Sequence, residues 1–178
     1  PKQAKGLVKR AVVRIATPGT NLNTQSLDET KNNYLMCIVY TTNAYGVSYV
    51  DVTTGEYYVT EFDSENKLLD EIFKTAPSEI ICNDSFLVSG IDLEELHIRF
   101  NVVVSAVDNW RFDESKCEQA LMEHFGVSSL DGLGLADYSI GITAAGAVMQ
   151  YLTETQKTSM DHITSIEPYI TNHYMLLD

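Results

Sequence analysis

Positive charge is scarce in this chain of 178 residues: twelve Lys and Arg stand against 25 Asp and Glu, a formal net charge of −13. Five of the twelve (Lys2, Lys5, Lys9, Arg10, Arg14) fall in residues 1–14, which hold no acid; seven remain beside all 25 acidic groups, a balance of −18. Nucleic-acid affinity rests largely on Lys and Arg neutralising phosphates, so a body of that sign opposes DNA. The arm differs. Lys9, Arg10 and Arg14 are candidate contacts to a DNA backbone, beside the plainer reading of a solvated charge run.

Other absences narrow the class further. Only three cysteines occur (Cys37, Cys82, Cys117), far apart and with no C-x-x-C pair, which points to reduced thiols and a cytoplasmic location. No apolar run approaches the roughly 20 residues that cross a bilayer, and no apolar signal-peptide core follows the basic N-terminus, so no membrane partner is expected. The first residue is Pro, and the sequence reads as a segment of something longer. There is no G-x-x-x-x-G-K-[ST] loop, no G-x-G-x-x-G after a strand and no G-x-S-x-G elbow. His97, His124, His162 and His173 include no pair at helical spacing, so zinc has no local nucleus. Neither a catalytic residue, a metal site nor a cofactor is expected in this chain.

What is present is a regular alternation of elements. Leu7–Ile15 reads as an extended strand closed at Thr17-Pro18-Gly19, and Asn21–Asn33 as loop. Tyr34–Thr42 is a nearly continuous apolar run, as for a strand buried on both faces. Turns at Thr42-Asn43-Ala44 and Thr54-Gly55 join it to Tyr45–Val52 and Glu56–Phe62 as an antiparallel meander. The period then changes. Leu68, Leu69, Ile72, Phe73 and Ala76 share one helical face, with Lys67, Asp70, Glu71 and Lys74 on the other, Asp63 or Ser64 as N-cap and Pro77 as the stop. A short strand Ser78–Cys82, a brief helix over 91–99 and a buried strand Asn101–Val107 follow. The chain closes with an amphipathic helix Phe112–Phe125 ended by Gly126, a flexible Gly132-Leu133-Gly134 link, and a mostly buried helix near Ile142–Lys157. The order predicts an α/β domain: a mixed sheet of the ribonuclease H-like kind, with three antiparallel strands, then two helix-linked strands, flanked by helices.

That fold raises the alternative of a nuclease, because ribonuclease H-like nucleases anchor two metal ions on carboxylates, one of them in the first strand. Here the first strand is YLMCIVYTT and carries no acid, while Asp84 and Glu71 read equally well as solvated residues. Trp110, between a strand and a helix, fits a core-edge anchor better than a base-stacking platform. A DNA-binding module acting through the arm is the other alternative.

The specific information lies in phrases. KGLVKRAVVRIATPGT (Lys5–Thr20), NNYLMCI (Asn32–Ile38), YGVSYVDVTTGEYYVTEF (Tyr45–Phe62) with its D-x-x-T-G turn at Asp51–Gly55, PSEII (Pro77–Ile81), AAGAVMQYLTETQK (Ala144–Lys157), His162-Ile163 and MLLD (Met175–Asp178) run in order along the whole chain. Together they resemble the connector domain of the MutS family of DNA mismatch repair proteins. The resemblance implies a linker and first strand from an absent mismatch-binding domain at 1–20, the connector at 21–160, and an exit toward the core and lever region at 161–178. It implies a non-catalytic body that relays signals between the mismatch-binding and ATPase parts, with ATP and Mg held elsewhere in the parent, and neighbouring MutS domains, mismatched DNA and MutL as partners. The Phe-x-Glu mismatch reader and the ATPase phosphate loop belong to parts missing from this sequence.

One family contact with MutL falls on the helix Phe112–Phe125, where the pattern is a Gln-Gln pair; the matching positions here are Gln119 and Ala120, so only the first is retained. Helical spacing puts Cys117, Ala120, Leu121, His124 and Phe125 on one arc, the core side, and Ser115, Gln119, Met122 and Glu123 opposite. Those four are the candidate MutL contacts, with Met122 as an exposed, adaptable apolar group beside Gln119.

Overall fold

Strand β1, Tyr34–Thr41, organises the molecule, because its alternate side chains serve two different cores. A computed structural model describes residues 32–156 and 160–170. Leu35, Cys37 and Val39 point to one face of the sheet, and Met36 and Ile38 to the other. An apolar run without alternation is what a strand covered on both sides requires.

The meander forms as its turn residues dictate. Thr42 and Asn43 take positive φ and swing the chain into β2, Ala44–Asp51, antiparallel to β1. Asp51 and Gly55 close the next turn into β3, Glu56–Phe62, antiparallel to β2. Ser64 then caps helix α1, Glu65–Thr75, its side chain accepting from the Lys67 amide at 3.2 Å; Ala76 ends the helix in the left-handed region, one residue before Pro77. Strand β4, Glu79–Cys82, lies parallel to β1. A four-residue helix α2, Asp84–Leu87, follows, which sequence periodicity does not register because it spans a single turn. Helix α3, Leu93–Phe100, leads to β5, Val103–Ala106, parallel to β4. After a 3-10 turn at Asn109–Phe112 come α4, Glu114–Phe125, and α5, Ser139–Gln156. A sixth strand, Glu167–Pro168 (β6), adds in parallel to β3. The sheet order is β5-β4-β1-β2-β3-β6.

Helices cover both faces of this sheet. On one, α5 lies over β1, β2 and β3 and is itself overlain by α4, so Gly141–Met149 is buried without interruption. That explains why α5 is apolar nearly all round. The approach is close because the contact residues are small: a Cβ on Gly46 of β2 would stand 2.4 Å from the Ile140 carbonyl oxygen. Glu61 of β3 caps the start of α5, accepting from the amides of Ile140 and Gly141 at 2.8 Å each. On the other face Leu68 and Ile72 of α1, Phe86 and Leu96 pack on Met36, Ile38, Val47 and Ile80.

Four sequence expectations are corrected here. Phe73 is 72% exposed, whereas Glu71, expected on the polar face of α1, is buried. The buried face is rotated toward Glu71 because the Tyr169 hydroxyl donates to its carboxylate at 2.5 Å and Lys74 lies 3.4 Å away, so that burial is compensated. Phe73 meets the Phe100 ring instead, centroids 6.2 Å apart. Strand β5 is an edge strand whose Val103 is 44% exposed, not a buried one; Val102, just before it, supplies the buried contact. Met122 is half-buried rather than exposed. Gly132 and Gly134 sit in and after a 3-10 turn, Leu130–Leu133, which Gly134 ends at φ +77°.

Candidate functional site

The α4 helix displays the residues that sequence reasoning singled out, and its local build explains how. Asp113 caps it, accepting from the Lys116 amide at 3.0 Å, and Gly126 ends it in the left-handed conformation. Cys117 and Leu121 are buried against α5, where a Cβ on Gly146 would stand 2.4 Å from the Cys117 Cβ. The preceding turn fastens the same junction: the Cys117 thiol and the Gln150 amide donate to the Arg111 carbonyl at 3.1 and 3.3 Å, and Arg111 Nη2 meets Glu154 at 2.5 Å. The Arg111 guanidinium also sits 4.7 Å from the Trp110 ring centre, and Trp110 is left half-exposed. His124, on the core-side arc, bonds the Ile163 carbonyl through Nε2 at 2.7 Å.

Opposite this anchored side, Ser115, Gln119 and Glu123 are exposed and Met122 is half-buried. Gln119 donates from Nε2 to Glu123 Oε2 at 3.0 Å, one turn along, which holds the two side chains as a pair. Ala120, the position where the family pattern has its second Gln, is half-buried. The helix therefore brings Ser115, Gln119 and Glu123 together on one exposed face. Lys9, Arg10 and Arg14 lie outside the described residues.

The turn at Asp51 is densely bonded. Its buried carboxylate accepts from the amides of Thr53 at 2.9 Å and Asn33 at 3.1 Å, and from the Asn32 side chain at 2.8 Å. Gly55 takes φ +86°, and a Cβ on it would stand 2.9 Å from the His162 carbonyl oxygen, so only glycine fits there. His162 Nε2 bonds the Val52 carbonyl on the same turn. The D-x-x-T-G phrase thus builds a structural joint between the meander and residues 160–170.

Asp84 is exposed at the start of α2, whereas Glu71 is buried and bonded by Tyr169 on α1. Among the described residues no three His, Cys, Asp or Glu side chains lie close enough to hold a metal ion. All three cysteines are buried and free; burial pushes the Cys82 and Cys117 thiols up to about 12 and Cys37 well above its ordinary value. No helix among the described residues is long and apolar enough to cross a membrane.

Sequence reasoning did not find a second concave surface. It is a groove of about 610 Å³ lined by Tyr34, Tyr49, Tyr58 and Tyr169 together with Glu71 and Lys74. Three of its tyrosines lie on β1, β2 and β3; the fourth is the residue after β6, an element too short to leave a periodic signal.

Comparison with known proteins places this architecture. The family described as MutS domain II matches residues 33–164. The chain is 56% identical over its full length to the DNA mismatch repair protein MutS of Lachnoclostridium phytofermentans, of which it covers 19%. It is 38% identical to that of Protochlamydia amoebophila and 40% identical to that of Acetivibrio thermocellus, over the full chain and 21% and 20% of those proteins. The chain therefore spans about a fifth of the length of these relatives, and it belongs to the MutS domain II family.

Proposed function

We propose that this domain II acts as a connector that passes rearrangements between the mismatch-binding and ATPase parts of a MutS protein and offers α4 as a docking face for MutL. The observation that carries the docking reading is the Gln119–Glu123 pair, exposed on a helix whose other side is locked onto α5. A surface held in place before a partner arrives saves the ordering cost of association. Ala120 in place of the family's second Gln leaves Gln119, with Ser115 and Glu123 beside it, as the recognition group; Met122, half-buried, contributes packing at the edge.

The relay reading draws support from the build of the sheet. Strands β1 to β5 pair continuously and the inner strands β1, β2 and β4 are packed by helices on both faces, so a push on one edge moves the whole body. The strand pattern, three antiparallel and then two helix-linked and parallel, supports a ribonuclease H-like framework. Within this reading residues 1–20 lead in from the mismatch-binding part, 21–160 form the connector and 161–178 lead out. Residues 160–170 nonetheless lend the connector Met160, Ile163 and Ile166 as core. ATP, Mg and mismatched DNA are handled by other parts of the parent, any DNA contact of this chain falls to Lys9, Arg10 and Arg14, and the buried free thiols suit a cytoplasmic protein.

The test is a titration of the 178-residue chain with MutL. Gln119→Arg and Glu123→Arg are each expected to weaken binding at least fivefold while the urea midpoint stays within error. Undiminished affinity in both variants removes α4 from the docking reading.

A further inference from the structure

The tyrosine groove has no part in the α4 reading, and its chemistry points to a ligand of one sign. Four rings pack edge-on or tilted around it: Tyr34 to Tyr49 at 5.0 Å, Tyr49 to Tyr58 at 5.2 Å and Tyr58 to Tyr169 at 6.1 Å between centroids. Their hydroxyls are turned to carboxylates. Tyr34 donates to Glu56 at 2.7 Å and Tyr58 to the same oxygen at 3.5 Å, while Tyr169 donates to Glu71 and shares a 2.6 Å hydrogen bond with Tyr49. Glu167 stands exposed on the rim. Among the described lining residues Lys74 is the one cation, already 3.4 Å from Glu71.

Such a groove repels anions and favours cations. Ring faces attract ammonium and guanidinium groups, and with Glu71 paired to Lys74, Glu167 on the rim and Glu56, bonded to the Tyr34 and Tyr58 hydroxyls, leave negative charge in excess. Tyr34, Tyr49 and Tyr169 all resist ionisation, through burial first and then, for Tyr34, through Glu56. The cavity is large enough for a long side chain with part of its backbone, and the body around it carries a large excess of acid.

We infer that this groove receives a Lys or Arg side chain from a basic peptide segment of a partner protein, the tyrosine faces holding the cation and Glu56 and Glu167 balancing its charge. The inference stands apart from the MutL reading of α4, since the two surfaces share no residue.

The experiment adds a blocked tetra-arginine peptide, with blocked tetra-glutamate as control, to the 178-residue chain carrying 13C-labelled tyrosine rings. Tetra-arginine is expected to shift the Tyr34, Tyr49, Tyr58 and Tyr169 ring signals saturably, and tetra-glutamate to leave them in place. Glu56→Lys and the rim variant Glu167→Lys should each weaken binding at least tenfold; Glu94→Lys, the same charge change on exposed α3, should stay within twofold. No saturable shift, or equal loss in all three variants, overturns the inference. Self-association of the chain that Glu167→Lys abolishes would assign the groove to the basic arm of a second copy, and overturns the partner assignment as well.

Discussion

Replacing Gly146 with alanine isolates the contact that holds α4 in place. In an ordinary helix interior the change stabilises by about 1 kcal/mol, since glycine carries more backbone freedom to lose. Here the new methyl would stand 2.4 Å from the Cys117 Cβ and 2.5 Å from its Cα and carbonyl oxygen. Carbon atoms at rest sit about 3.5–4.0 Å apart, so the two helices must separate by about 1 Å. Because the obstacle is largely backbone, no side-chain rotation relieves it. Overpacking of this kind costs about 1–3 kcal/mol, and separation also stretches the thiol and Gln150 bonds to the Arg111 carbonyl. The net expectation is a loss of about 1–2 kcal/mol. With a urea slope of about 2 kcal/mol/M, the midpoint falls by about 0.5–1 M. Gly132→Ala, where nothing lies within 4 Å, serves as the control and should scarcely move it. A Gly146→Ala midpoint equal to or above that of the unaltered chain would refute the claim that this helix pair is at contact distance.

Two further outcomes follow from buried polar and titratable groups. Asp51→Ala strips acceptors from the Thr53 and Asn33 amides inside the fold, and a loss of about 2–4 kcal/mol in urea unfolding is expected from those charged hydrogen bonds; a loss under 0.5 kcal/mol would mean water replaces them. The folded values of Cys82 and Cys117, about 12, lie above the unfolded thiol value of about 8.5. Their contribution to stability is therefore complete below pH of about 8.5 and is lost as pH climbs through the folded value, so a thiol reagent at pH 9 should label them only at the rate of unfolding; rapid labelling of the native chain would contradict their burial.

Much of the fold was legible because local signals and tertiary demands agreed. The long apolar run of β1, the glycine of the Asp51 turn, a cap at Asp63 or Ser64 and the all-round apolar surface of α5 all pointed to the elements that form. Where a distant group changed the balance, the sequence pattern misled. Glu71 is buried only because Tyr169, nearly a hundred positions away, brings a hydroxyl to it, and that shifted the inward face of α1 and left Phe73 outside. An apolar run such as NVVVSAV likewise does not say how many of its faces are covered. Of the α4 face, helical spacing was enough to expose Ser115, Gln119 and Glu123, yet it could not weigh Met122, whose burial depends on neighbours. The tyrosine groove was invisible in sequence because its wall is assembled from β1, β2, β3 and the residue after β6.

Asn32, just before the central strand β1, and Tyr169, just after the edge strand β6, line that same groove, so the two ends of the described body stand on one side of the sheet with β2 and β3 between them. From β6 the opposite margin, β5, is five strand spacings away, or about 24 Å at the usual distance between paired strands. A turn of about 10° about β6 would carry β5 through about 4 Å, more than a hydrogen bond can span. In the connector role proposed above, a small rotation applied at β6 would therefore be large enough to make or break contacts at the far margin.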